Sequence, residues 1–129
     1  MGGRGGHRMV IATGRTLMSG IFISGGWAAF IEPGPRVAKA GAVGLSNPEL
    51  AVRANGLAMV AGGTALAVGV WPRAAAAGLI ASLAATTVAG HAFWDEDDPK
   101  VRAQQRTQFL KNLAIVGGLA VLFASDTHR

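Results

Sequence analysis

The chain has 129 residues, half of them hydrophobic and only 15% charged, where a soluble domain carries about 25% charged residues. It has no cysteine and no tyrosine, which excludes disulfides, thiolate catalysis, cysteine-held zinc or iron–sulfur centres and tyrosyl chemistry. The net charge of +5 does not point to nucleic acid, because the basic residues flank long apolar runs, where they meet lipid headgroups and orient helices.

Residues 1–129 fit a single membrane domain. The N-terminus is short and basic. The apolar run after it is too long for a signal-peptide core of about 7–15 residues, so it reads as a retained helix. The first apolar stretch spans residues 10–31 and is interrupted by Arg15. The second is 54–71, the third 74–94 and the fourth 109–124. A spanning helix needs about 17–25 residues. Residues 74–92 carry no charge and are apolar all round, which favours lipid over the core of a soluble bundle.

The connections set the topology. Val70-Trp71-Pro72-Arg73 is a tight turn, so the second and third helices are antiparallel neighbours. Pro33-Gly34-Pro35 and Asn47-Pro48 break a longer first loop, with a weakly amphipathic piece between them. Asp95-Glu96-Asp97-Asp98-Pro99 reads as an acidic cap on a helix N-terminus, not as a calcium loop, since the spaced ligands and distal Glu are missing. Residues 100–108 then form a short helix leading into the fourth stretch. The predicted fold is an all-α, four-helix membrane bundle with antiparallel neighbours and both termini on one side. Lys and Arg number five on the terminal side (Arg4, Arg8, Arg15, Arg73, Arg129) and seven on the loop side (Arg36, Lys39, Arg53, Lys100, Arg102, Arg106, Lys111). The count favours cytoplasmic loops, but three Arg crowd the first helix, whose flank often dominates. The adopted reading is a multi-pass protein of the cell membrane with cytoplasmic termini.

Small residues at four-residue spacing share a helix face and let membrane helices approach. Gly20 and Ser24 form such a stripe in the first helix, and Gly78, Ser82, Thr86 and Gly90 in the third. Gly62 and Gly63 in the second and Gly117 and Gly118 in the fourth are further packing candidates. Polar residues collect at the loop-side helix ends: Asn55, His91, Trp94 and Asn112. Parity puts them at one depth. Asn55 and His91 each lie about 17 residues from the turn, roughly 25 Å along a helix, so they are expected side by side. His91 either ties helix ends together or lines a small binding cavity. No metal site is expected, because the other histidines, His7 and His128, lie on the opposite side and zinc needs more ligands. Arg15 either reaches headgroups or pairs with an acid of a partner. No catalytic triad, phosphate loop or paired buried carboxylate is evident.

Several motifs together resemble the DoxX family: Arg15 with Ile21-Phe22-Ile23-Ser24-Gly25, then Val43-Gly44-Leu45 before Pro48, then Gly62-Gly63-Thr64-Ala65-Leu66-Ala67-Val68-Gly69 with Arg73. His91-Ala92-Phe93-Trp94 and Phe109-Leu110-Lys111-Asn112-Leu113-Ala114 with Gly117-Gly118 are the most distinctive. The resemblance implies a four-helix membrane protein. The family takes its name from a subunit associated with quinone-linked oxidation, and related members are tied to redox-stress complexes. Many members carry a Glu ahead of the Gly pair, where this chain has about Met59, so a proton-handling role is not carried over.

Three functions follow from this reading. The first is an accessory or assembly subunit of a quinone-linked or respiratory membrane complex, with no intrinsic catalysis and no cofactor of its own. The second is a quinone- or small-lipid-binding oxidoreductase subunit with its site at His91, Trp94, Asn55 and Asn112. The third, ranked last, is a small-molecule transporter. The expected partners are membrane lipids and other membrane subunits.

Overall fold

A computed structural model describes residues 2–125; His128 and Arg129, used in the sequence reading, lie outside them. The described chain is helical with no strands. It comprises α1 (Gly2–Ile31), α2 (Pro35–Ala42), α3 (Pro48–Val68), α4 (Pro72–Gly90), a single 3-10 turn at Phe93–Asp95, and α5 (Pro99–Ser125). Proline begins each of α2, α3, α4 and α5. Its fixed φ suits the first helical position, where the missing N–H has no partner to lose.

These starts revise the helix limits read from sequence. The second apolar stretch was expected from 54, yet α3 opens at Pro48, with the Asn47 side chain accepting from Leu50 N–H. Proline stops a helix that precedes it but does not stop one that follows, and the Glu49–Arg53 ion pair at 3.0 Å carries the first turn onward. The fourth stretch was expected from 109, but α5 runs unbroken from Pro99, capped by Asp98, whose carboxylate accepts from Lys100 N–H at 2.9 Å. The third was expected to reach 94. It ends at Gly90, and the chain leaves the helix at His91.

Three segments are long and apolar enough to cross a membrane by length and composition: Pro48–Val68, Pro72–Asp95 and Pro99–Ser125. The first stretch, 10–31, is not among them. Arg15 and a scatter of Gly and Ser dilute its apolar character. α1 is nonetheless packed tightly. It lies along α3, α3 packs on α4, α4 on α5, and α5 returns to α1. Six buried side chains from these four helices form the core: Phe22, Leu66, Ala76, Leu79, Leu83 and Leu119. Many large apolar residues instead face outward, among them Leu17, Trp27, Leu57, Val88, Leu113 and Val121. Such an inside-out balance suits lipid, where no water penalises exposed apolar side chains.

Contacts along each pair run in opposite directions, so neighbours are antiparallel. Between α1 and α3, Gly26 meets Gly56, while Ile23, Phe22 and Ser19 meet Gly63. Between α1 and α5, Gly14 faces Leu122 and Met18 faces Gly118. The α3–α4 turn is closed by Gly69 in the left-handed region (φ 78°), with Val70 N–H bonded back to the Ala65 carbonyl at 2.9 Å, a Gly-type helix stop.

The glycines divide into two groups. A methyl group placed at Gly26 would lie 2.5 Å from the Gly56 carbonyl oxygen and 2.8 Å from Met59 Cβ. The backbones therefore touch there, as they do only where both helices lack a side chain. Gly63 packs on α1, Gly62 on Leu79 of α4, and Gly118 on the Met18 side chain. Gly20, Gly78, Gly90 and Gly117 have nothing within 4 Å of an added methyl, and Ser24 and Thr86 are exposed. The stripes expected to pack these helices together within the chain thus face outward at these positions, while Ser82, half-buried, meets Asn55 of α3. Their true inner faces are Ser19, Phe22, Gly26 and Ala29 on α1, and Ala76, Leu79, Leu83 and Thr87 on α4.

Gly26→Ala should therefore destabilise the protein by about 1–3 kcal/mol, since α1 and α3 must separate. Gly78→Ala should be neutral, or stabilising by up to about 1 kcal/mol through helix propensity. Thermal unfolding of the detergent-solubilised chain, followed by circular dichroism, checks both. Equal melting temperatures for Gly26→Ala and the parent would contradict the close approach.

Candidate functional site: the polar links of α4 and the aromatic end

Ser82 and Thr87 of α4, and His91 just past its end, each meet a different position on a neighbouring helix. Ser82 Oγ donates to Asn55 Oδ1 of α3 at 2.8 Å. Asn112 Nδ2 of α5 donates to Thr87 Oγ1 at 3.0 Å, with both residues buried. His91 Nδ1 meets Gln105 Oε1 of α5 at 2.7 Å. In an apolar setting each of these groups needs a partner, because an unmatched buried amide or hydroxyl costs about 1–3 kcal/mol. Helix spacing produces the pattern. Gln105 and Asn112 are seven apart on α5 and share a helix face, while His91, four residues past Thr87, stands just beyond the end of α4. The result is two rungs between the same two helices.

The four residues expected as one cluster are therefore distributed. Asn112 and His91 both join α4 to α5, one turn apart along α4. Asn55 does not stand beside His91. Its partner Ser82 lies nine residues back along α4, roughly 13 Å at 1.5 Å per residue. Equal counting from the Pro72 turn does not find its partner: Asn55 stands 17 residues before Pro72 and Ser82 ten after it. Asn55 Nδ2 also reaches Met59 Sδ at 3.5 Å. Met59 fills the α1–α3 contact beside Gly25 and Gly26.

Trp94 belongs to an aromatic group beyond the end of α4. Its ring meets Phe93 edge-on at 5.3 Å and Phe109 at 5.8 Å, and Phe93 meets Phe109 at 5.4 Å. Edge-to-face pairs of this kind each contribute about 0.5–1.5 kcal/mol beyond area burial. They fasten the 3-10 turn to α5. Trp94 is still half exposed and His91 is only partly covered. An acceptor at Oε1 of Gln105 matches a proton on His91 Nδ1.

The same end of the molecule contains a second set of contacts that pattern reading did not anticipate. Three basic side chains close helix C-termini. Lys39 Nζ of α2 donates to the Gly90 carbonyl of α4 at 2.7 Å. Arg53 of α3 donates to the Phe30 carbonyl of α1, and Arg36 Nη1 donates to the Glu32 carbonyl at 3.4 Å. The last carbonyls of a helix have no partner within it and carry the negative end of its dipole, so cations stabilise them. The available signal was the position of Lys39 and Arg53 opposite helix ends, but only the fold shows which end each one reaches. Gln105 was missed because residues 100–108 were read as a separate short helix. Read as one helix with the fourth stretch, Gln105 falls on the Asn112 face. Among the described residues no group of three or more His, Cys, Asp or Glu could hold a metal.

A double-mutant cycle across the Thr87–Asn112 rung, with Thr87→Val and Asn112→Ala, should show a coupling of roughly 0.5–1.5 kcal/mol. The Asn112→Ala change alone should cost more, because it also opens a cavity. Strictly additive changes in unfolding free energy in detergent would contradict the rung.

No curated protein and no solved structure matches the chain. A family model described as DoxX matches residues 10–92, which takes in α2, α3, α4 and most of α1 and stops short of α5, the helix that carries Gln105 and Asn112. The family that the sequence motifs resemble is the family whose model matches, over well more than half of the chain: this is an integral membrane protein of the DoxX family.

Proposed function

We propose that the chain is a four-span accessory subunit of a larger cell-membrane complex whose quinone-linked chemistry is held by a partner. The observation that carries this reading is the outward display of small residues. Gly20 on α1, Gly78 on α4 and Gly117 on α5 have open space where a side chain would be, and Ser24 lies one turn from Gly20 on the same exposed face. Small residues on outer faces allow another membrane helix to approach closely. α1 is the fourth span in this reading. Its packing on α3 and α5 supports that, because a helix so engaged with two apolar helices shares their depth. The link to quinone chemistry rests on the family.

Purification of the native complex from membranes under mild detergent tests the reading. A redox subunit should co-purify, and Gly78→Leu or Gly20→Leu should release it while leaving the isolated chain's melting temperature within a few degrees of the parent. A lone monomer or homodimer overturns it. A second reading, quinone or quinol binding by this chain itself, is favoured by the half-open aromatic group beside His91. Nε2 could accept from a quinol hydroxyl while Trp94 and Phe109 flank the ring. In the same preparation His91→Ala should then lower quinol affinity by about tenfold, and unchanged affinity removes this second reading.

Both termini face the cytoplasm in this proposal, following Arg4 and Arg8 before the first apolar stretch and Arg15 near its start. The chain has no cysteine, so single cysteines can be introduced at Gly2 and at Asp97. In intact cells a membrane-impermeant maleimide should label Asp97→Cys and spare Gly2→Cys. The opposite pattern reverses the orientation.

A further inference from the structure

The two ends of the described helices differ in charge. All six described acids lie at the loop end: Glu32, Glu49, Asp95, Glu96, Asp97 and Asp98. The other end contains Arg4, Arg8, Arg15 and Arg73, with no acid among the described residues. Arg15 is the notable member of that set. Its Nε is buried without a hydrogen-bond partner, the one such side-chain atom among the described residues. The guanidinium lies against Gly69 at the end of α3: a methyl group placed on Gly69 would be 3.2 Å from Nη2 and 3.4 Å from Nη1. The negative end of the α3 dipole favours a cation there but supplies no full counter-charge. Arg73, four residues past Gly69, sits over the Phe123 ring at 4.4 Å, which keeps its own charge at the same end.

A partly buried guanidinium without an anion is costly, and a planar fork of N–H donors is the group best matched to a phosphate. Exposed apolar side chains lie within two residues of Arg15 or Gly69 in the chain: Leu17, Val68, Val70 and Trp71, the last 81% exposed. Tryptophan and arginine at the edge of an apolar span mark the headgroup level of a bilayer. An anion arriving there with apolar chains attached meets both features, whereas a carboxylate on a partner protein would use only the charge. We infer that Arg15 binds the phosphate of an anionic phospholipid at the α1 and α3–α4 turn end, with Arg73 contributing to the local positive field. This site lies at the end opposite His91, and it does not depend on any partner complex.

The test uses the isolated full chain in a neutral detergent, with dioleoylphosphatidylglycerol as the probe and native mass spectrometry and thermal unfolding as readouts. The parent should retain phosphatidylglycerol and gain melting temperature with it. Arg15→Gln should bind about tenfold more weakly, while Arg15→Lys, which keeps the charge without the fork, should fall between. Arg106→Gln, at the loop end, should match the parent, which separates the site from general attraction of lipid to a basic protein. If Arg15→Gln does not fold by circular dichroism, the Arg15→Lys comparison carries the test. Equal lipid retention by the parent and both Arg15 variants overturns the inference. Complete competition by inorganic phosphate assigns the site to free phosphate and overturns the lipid. Asp126→Asn lowering the melting temperature as Arg15→Gln does, with no gain from lipid in the parent, replaces it with an internal ion pair. Normal lipid binding by Arg15→Gln, with loss of a co-purifying subunit from native membranes, replaces it with a partner's carboxylate.

Discussion

The contact between the backbones of α1 and α3 at Gly26 and Gly56 is the constraint on which the other helix positions depend. A methyl on either glycine would lie 2.5 Å from the other's carbonyl oxygen, so the two helices meet with no side chain between them. That approach fixes their register. It puts Gly63 against Phe22 and Ile23 seven residues further along α3, and it brings Arg53 within reach of the Phe30 carbonyl at the end of α1. Lipid tails are as apolar as leucine, so apolar burial does little to hold membrane helices together. Packing at close range and interhelical hydrogen bonds have to do it. α1 and α3 use mainly the first, and α4 and α5 add the second through Thr87–Asn112 and His91–Gln105.

These two modes explain the composition. The chain holds 19 glycines, an abundance that would weaken soluble helices by about 0.5–1 kcal/mol per interior position. Where Gly26, Gly56 and Gly63 meet a neighbour, the lost propensity is offset by dispersion contacts at short range. Where Gly20, Gly78 and Gly117 meet nothing within the chain, no such compensation exists inside the protein. A surface that keeps these residues without internal reason is better suited to contact than to isolation.

The sequence made the helical, membrane-spanning character legible because it depends on composition and length alone. It also marked Asn55, His91 and Asn112 as polar groups needing partners. It could not say which partners. In a soluble helix a polar stripe reveals the outer face. Here lipid-facing and inward-facing residues are equally apolar, and Gly, Ala and Ser occur on both. The stripe Gly20–Ser24 and the true inner face Ser19–Phe22–Gly26 are offset by about one residue, some 100° of rotation, and nothing in the spacing distinguishes them. Asn55 was set at the wrong height for a related reason. Counting from a turn assumes that residues equally far from it stand opposite each other, whereas Asn55, 17 residues before Pro72, pairs with Ser82, ten after it. The start of α3 was expected late because Pro48 reads as a breaker, where it begins the helix.

The charges complete the physical picture, because the two ends use theirs differently. At the loop end, Lys39, Arg53 and Arg36 are directed at helix carbonyls, Arg102 donates to the Glu96 carbonyl at 2.8 Å, and Asp98 caps α5. The charges there serve mainly to close the chain's own backbone, and their number overstates the field available to lipid or partner. At the other end, Arg73 is held over an aromatic ring, and Arg15 is folded against Gly69 with a buried N–H unmet. A count of lysines and arginines treats the two ends alike. Their hydrogen bonding does not: at one end basic side chains close helix carbonyls, and at the other the buried Nε of Arg15 has no partner among the described residues.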